Sequence, residues 1–176
     1  KAIRRQRQMC IRDRRLMIVG IPNVGKSSFI NRMAKSKKAK VEDRPGVTRT
    51  KQWVKLGDNV EMLDMPGVLW PKFEDQEVAR KLAFTGAVKD DILDIEALAS
   101  LLLENLSSLY PQALEERYKI DTQGTGFELL ENVGRKRGML VSGGEVNTER
   151  AAITVLDEFR SGKLGRLTLE LPAEVQ

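Results

Sequence analysis

The chain has no histidine and one cysteine, Cys10, in 176 residues. The first absence removes any imidazole base from the chemistry the chain performs alone. The second excludes an intramolecular disulfide framework and a cysteine-rich zinc site, and it suits a reducing cytoplasm. No apolar run approaches the roughly 18 residues of a membrane-crossing helix, so neither a membrane partner nor a secretory signal is expected. Internal repeats and low-complexity tracts are also lacking. What is present is 41% hydrophobic residues, enough for a packed core in one large domain or two small ones.

The net charge of +5 suggests a nucleic-acid partner until its distribution is read. Residues 1–15 hold seven Lys/Arg against one Asp, whereas residues 93–176 hold nine against fourteen Asp/Glu. Only a local basic patch can therefore carry RNA binding, and DNA is not expected. Residues 1–15 read as a basic lead-in, either a solvated extension or a phosphate-contacting arm. Within it, Gln8-Met-Cys-Ile-Arg-Asp-Arg14 looks like translated sequencing adapter, so Cys10 is given no function.

The informative stretch is Gly20-Ile-Pro-Asn-Val-Gly-Lys-Ser27, which fits the G-x-x-x-x-G-K-[ST] phosphate loop. Leu16-Met-Ile-Val19 before it reads as a buried strand, and Ser28 to Ala34 after it as a helix. Gly20 and Gly25 allow the backbone to wrap a phosphate. The loop N–H groups and the helix start then face phosphate oxygens. The phosphate-binding set is Asn23, Val24, Gly25, Lys26, Ser27 and Ser28, with Thr48 and Gly67 from further along. Lys26 neutralises the β- and γ-phosphates and the Ser27 hydroxyl ligates Mg²⁺.

Asp43-Arg-Pro-Gly-Val-Thr-Arg-Thr50 reads as a loop in which Thr48 or Thr50 brings a hydroxyl to Mg²⁺ and the γ-phosphate; position favours Thr48. Gln52 to Leu56 and Val60 to Leu63 read as strands joined by a turn at Gly57-Asp-Asn59. The second ends in Asp64-Met-Pro-Gly67, a D-x-x-G pattern. Asp64 is a Mg²⁺ residue and the Gly67 N–H a γ-phosphate sensor. Lys26, Thr48 and Gly67 are the candidate catalytic residues, acting by position and charge neutralisation. Val68 stands where many GTPases place a water-orienting glutamine. A valine orients no water, so hydrolysis is expected to be slow unless a group in trans or a cation assists. Asn23 is either a ligand for a monovalent cation such as K⁺ or a cap of its own turn. Trp70 and Phe73 offer aromatics to a partner or, more ordinarily, to the sheet.

A boundary is expected at Lys89-Asp-Asp91, after a helix over Glu77 to Thr85 that Gly86 ends. Beyond it the chain reads as helical: Ile95 to Leu106, a short helix from Pro111 through Tyr118, Thr125 to Arg137, and a last helix capped by Asn147. Val78, Phe127, Leu130, Val133, Ile153 and Phe159 are among the apolar residues assigned to core. Lys163 to Pro172 ends in a short alternating extended segment. Arg135, Lys136 and Arg137, with Arg150, Arg160, Lys163 and Arg166, form an RNA-contacting surface or are ordinary ion-pair partners.

Several stretches together resemble ribosome biogenesis GTPase A, a family of circularly permuted bacterial GTPases that mature the large ribosomal subunit. They are the phosphate loop, Asp43 to Thr48, Gln52-Trp53, Leu63 to Asp75, Thr85-Gly-Ala-Val-Lys89 and Arg137-Gly-Met-Leu-Val-Ser-Gly-Gly144. The resemblance covers roughly residues 16–171. It implies an α/β P-loop NTPase part with an incomplete parallel sheet over residues 16–90, then a small all-α domain over 91–176 that helps dock on ribosomal RNA. It also implies GTP and GDP as ligands with Mg²⁺, Asn23 as a K⁺-linked asparagine, and the precursor of the large subunit as partner. No Asn-Lys-x-Asp motif, which selects guanine in GTPases, occurs in the chain. The chain is therefore expected to be the C-terminal part of such a protein, less stable than a whole GTPase, with an exposed edge and apolar face beside Leu16 to Val19. The expected function is a cytoplasmic GTP-binding and hydrolysing factor in late large-subunit maturation. The alternatives are a P-loop ATPase of another kind and a non-catalytic ribosome- or RNA-binding module.

Overall fold

A computed structural model describes residues 14–35, 39, 47–57, 60–69 and 74–170. Three strands build one sheet: β1 (Arg14–Ile18), β2 (Gln52–Gly57) and β3 (Val60–Asp64). Their order is β1-β3-β2, with β1 parallel to β3 and β2 antiparallel to it. The parallel pairing needs a crossover, and helix α1 (Lys26–Met33) lies on that path between β1 and β3. Met62, in the middle strand, buries with Val54 and with Ile30 of α1 in a small apolar cluster. The register sets Ile18 opposite Asp64 and Gln52 opposite Asp64, so the C-terminal ends of β1 and β3 meet at one rim.

β1 forms where the apolar run predicts it, but it is not buried. It pairs only with β3 among the described residues, and Leu16, Met17 and Val19 are 46%, 60% and 67% exposed. Among the described residues no strand covers its other edge, and the reading of Leu16 to Val19 as buried is corrected. Phe29, Met33 and Trp53 are also about half exposed. Arg15 lies over the Trp53 ring at 5.3 Å, covering part of it with a cation–π contact.

The remaining elements are helical: α2 (Gln76–Phe84), a 3₁₀ turn at Asp90–Ile92, α3 (Ile95–Leu109), α4 (Pro111–Tyr118), α5 (Gly126–Lys136) and α6 (Thr148–Arg160). Polar residues fix their starts. Asp75 accepts from the N–H groups of Glu77 and Val78, Asp94 from Ala97 and Asn147 from Arg150. Thr125 and Glu128 form a reciprocal capping box. Pro111 opens α4. α3 is the spine: Leu98, Leu102, Leu103 and Leu106 bury against α5 and α6, where Leu129, Leu130, Val133, Val155 and Leu156 close the core. Each such side chain contributes about 1.5–3 kcal/mol by leaving water.

The described residues of Lys1–Phe73 and Gly86–Val88 form one compact unit, and those of Glu74–Thr85 and Lys89–Gln176 a second. The division differs from the expected boundary at residue 90 because α2 buries Ala83 and Phe84 in the helical core. Three residues assigned to core are exposed: Phe127 (58%), Ile153 (45%) and Val78 (38%). Ile153 lies off the stripe of Ala151, Ala152, Val155 and Leu156, and Phe127 lies off the stripe of Gly126, Leu129, Leu130 and Val133. No strand forms over residues 163–170. Leu167 and Leu169 pack against the helical core while Arg166, Thr168 and Glu170 stay exposed, which is the alternation seen in the sequence.

Two ion-pair groups tie the helical unit together. Arg160 at the end of α6 donates to both carboxylate oxygens of Asp90 at 2.6 and 2.8 Å and to the carbonyls of Ala83 and Phe84 at 2.9 and 3.0 Å. Glu158, only 6% exposed, accepts from Arg117 at 2.5 and 3.0 Å and from Arg137 at 3.2 and 3.3 Å. The Arg137 guanidinium also lies 5.4 Å from the Tyr118 ring centre. Cys10, Asp43 to Gly46, the turn at Asp58-Asn59, Trp70, Phe73 and Pro172 lie outside the described residues.

Candidate nucleotide phosphate site

The loop between β1 and α1 has the shape its sequence demands. Gly25, at the N-cap of α1, has φ 83° and Asn23 has φ 58°. The left-handed region is open to glycine and costs asparagine least among ordinary residues. α1 is started by no side-chain cap and has no acid in its first turn, unlike α2, α3, α5 and α6. Its leading N–H groups therefore remain available, and the helix dipole favours an anion there. Val24 and Ser28 are exposed at this end, and Asn23 is half-buried.

Lys26 folds back over the loop. Its Nζ donates to the carbonyls of Gly20 at 3.0 Å and Ile21 at 2.6 Å, which fixes the ammonium at the mouth of the loop. Burial lowers its pKa from the ordinary lysine value, and the nearby Asp64 charge opposes that shift.

Below the lysine three oxygens from three segments meet. The Ser27 hydroxyl donates to Asp64 Oδ2 at 2.9 Å and lies 3.1 Å from the Thr48 hydroxyl. The structure thus places Thr48 at the serine, while Thr50 is exposed. Asp64 is fully buried at the end of β3, and among the described residues its Oδ1 has no hydrogen-bond partner. A buried carboxylate oxygen without a donor is costly, and a hard cation or its bound water satisfies it. The donor set of one carboxylate and two hydroxyls suits Mg²⁺, which prefers oxygen and is usually held by one or two carboxylates, substrate phosphates and water. Among the described residues no group of three or more His, Cys, Asp or Glu gathers to cage a metal.

The segment after Asp64 closes on the loop. The Val68 N–H donates to the Gly20 carbonyl at 3.3 Å. At Gly67 a side chain would collide with the loop itself: a Cβ there would lie 2.4 Å from Pro22 Cα and N. The glycine is required by this approach. Val68 is 71% exposed and brings no polar group to the site.

Two contributors escaped the sequence reading. Gln52 Nε2 donates to Asp64 Oδ2 at 3.5 Å, and Pro22 supplies the surface on which Gly67 rests. The signal for Gln52 was the hairpin register, which sets it opposite Asp64. Of the three candidate RNA residues, Arg135 and Lys136 are exposed at the end of α5, whereas Arg137 is bound to Glu158 and Tyr118.

A phosphate loop joining strand to helix, with the helix-start serine facing the acid that closes the neighbouring parallel strand, is the arrangement of an α/β P-loop NTPase fold. Residues 15–115 match the family described as 50S ribosome-binding GTPase. The chain belongs to that family. It is 49% identical over 163 residues to a ribosome biogenesis GTPase A of Priestia megaterium, covering 92% of this chain and 57% of the relative. It is 48% identical over 161 residues to a protein of the same description from Bacillus cereus, covering 91% of this chain and 54% of the relative. Among solved structures, GNP-bound YlqF from T. maritima matches with a TM-score of 0.59 at 29% identity, over 92% of this chain and 60% of that one. The chain thus spans little more than half the length of the curated relatives it matches.

Proposed function

We propose that this chain supplies the phosphate- and Mg²⁺-binding part of a GTP-binding and GTP-hydrolysing ribosome assembly factor that acts in the cytoplasm on the precursor of the large ribosomal subunit and its RNA. The observation that carries the reading is the meeting of Ser27, Thr48 and the half-satisfied Asp64 directly under the phosphate loop. Family membership and the similarity to ribosome biogenesis GTPases support guanine as the base and the ribosome as the setting. They also weigh against a P-loop ATPase of another kind.

Each residue then has a task. Lys26 and the N–H groups from Asn23 to Ser28 hold the β- and γ-phosphates. Ser27, Thr48 and Asp64 hold Mg²⁺, directly or through water. Bound Mg²⁺ supplies charge neutralisation at the phosphates. The Gly67 N–H donates to the γ-phosphate, and Asn23 is the candidate K⁺ ligand. Acceleration comes from positioning and electrostatics, since no side chain at the site is a general base. Val68 orients no water, so hydrolysis by the chain alone is slow.

The 176 residues contain no Asn-Lys-x-Asp motif to read guanine. Calorimetric titration with GDP and with ADP in Mg²⁺ buffer tests this. The expected result is weak binding of both, with affinities within a few-fold of each other because only phosphates are grasped. Submicromolar, GDP-selective binding would contradict the absence of a base pocket. No binding of either would contradict the phosphate site.

A further inference from the structure

Asn31 lies one turn after Ser27 on the same side of α1. Its side-chain amide makes two hydrogen bonds to one backbone position. Nδ2 donates to the Ala39 carbonyl at 2.7 Å, and Oδ1 accepts from the Ala39 N–H at 2.7 Å. An amide offers a donor and an acceptor side by side, as a peptide group does, so Asn31 pairs with Ala39 much as a neighbouring strand would. A carboxylate could only accept there, and an aliphatic side chain could do neither. Ala39 is 5% exposed and belongs to the apolar cluster of Ile30, Val54 and Met62. The pairing therefore satisfies two backbone groups at a buried position, where leaving them unpaired is costly.

Ala39 and Thr48 both belong to the segment that joins α1 to β2. One side of α1 thus holds that segment at two points: Asn31 at Ala39, and Ser27 at the Thr48 hydroxyl, 3.1 Å away. The two holds differ in kind. The Ser27–Thr48 contact is made by two hydroxyls that the phosphate site needs for Mg²⁺. The Asn31 pairing ends on backbone and does not compete with the cation.

We propose that Asn31 is a positioning residue for Thr48: by pinning Ala39 to α1 it preorganises the segment that delivers the Thr48 hydroxyl to Mg²⁺ and the γ-phosphate. The inference rests on the reading of Ser27, Thr48 and Asp64 as the Mg²⁺ residues. A ligand held by a preorganised support binds without first having to order that support. Fixing the backbone of one residue opposes binding by about tenfold, which sets the size of the effect.

Calorimetric titration of the full chain with a non-hydrolysable GTP analogue, once with Mg²⁺ and once with the metal chelated, tests it. Asn31→Ala is expected to reduce the Mg²⁺-dependent gain in affinity about tenfold and to leave binding with the metal chelated within about twofold. Asn31→Asp, which still accepts from the Ala39 N–H, is expected to fall between Asn31→Ala and the wild type. The Asn31→Ala/Thr48→Ala double variant is expected to bind no more weakly than Thr48→Ala, because a residue that acts through Thr48 has nothing to act on once the hydroxyl is gone. A loss of equal size with and without Mg²⁺ in both Asn31 variants would make the pairing a stabilising bond only and overturn the proposal. So would an Asn31→Ala effect that adds in full to that of Thr48→Ala. A Mg²⁺ gain that Thr48→Ala reduces and Asn31→Ala does not would sink this proposal alone. A wild-type chain without a Mg²⁺ gain would sink the reading of the site on which it rests.

Discussion

Lys26→Ala is expected to weaken GDP binding by about a hundredfold while leaving the helical unit's thermal transition where it is. The lysine is not part of a core; it is anchored by the carbonyls of Gly20 and Ile21, which face solvent once it is gone and are then hydrated at little cost. What is lost is a cation placed where phosphate oxygens sit. Hydrogen bonds to charged groups contribute about 1.5–3 kcal/mol each, so two such bonds correspond to about 3 kcal/mol or more, or roughly two decades in affinity. Burial lowers the Lys26 pKa and the Asp64 charge raises it, so an incoming phosphate, adding negative charge, favours the ammonium further. Calorimetry with GDP reads the effect. Wild-type affinity in the variant would place the phosphates elsewhere.

Glu158→Ala is expected to be the most destabilising change outside the leucine core. It leaves the guanidiniums of Arg117 and Arg137 without their carboxylate. Breaking a fully enclosed pair costs about 3–5 kcal/mol. Both arginine side chains keep about a third of their exposure, 35% and 32%, so water compensates in part. About 2 kcal/mol is expected for Glu158, which lowers the helical unit's transition by about 10 °C. The pH dependence has a fixed sign. The Arg117 hydrogen bonds, with the Arg137 charge beside them, hold the Glu158 pKa below the ordinary glutamate value against the effect of burial. Its contribution is therefore fully present above the unfolded-state pKa near 4.3 and disappears as pH falls through the lower folded value. Thermal melts at neutral pH and at successively more acid pH check this: the gap between wild type and variant should narrow in acid. A gap independent of pH would mean that packing, not charge, is what Glu158 supplies.

The phosphate site was legible because its grammar is local. Strand, glycine loop and helix follow one another from Leu16 to Met33, and a D-x-x-G closing the next strand but one completes it. Position in the loop favours Thr48 over Thr50, and the Thr48 hydroxyl lies 3.1 Å from that of Ser27. Less legible was everything set by partners far along the chain. Arg137 reads as one of three basic residues in a row, yet its partner is 21 residues away, and Glu158 itself sits on the buried stripe with Ala151 and Val155. A carboxylate at i, i+4, i+7 spacing with buried apolar residues was the available signal that an arginine must come to it. The unit boundary was missed for a similar reason. The spacing of α2 shows that it is amphipathic, but not which core receives Phe84. The apolar run of β1 signalled a strand and carried no information on what covers its outer edge.

Ser27, Thr48 and Asp64 are proposed to act together on a phosphate-bound cation. The direct test is calorimetric titration of a non-hydrolysable GTP analogue with Mg²⁺ and, separately, with the metal chelated, on the wild-type chain and on Ser27→Ala. Mg²⁺ is expected to strengthen wild-type binding at least about tenfold, as one added charge-assisted contact would, and Ser27→Ala is expected to abolish the difference. Binding that ignores Mg²⁺ in the wild type, or a Mg²⁺ effect that survives in Ser27→Ala, would contradict it.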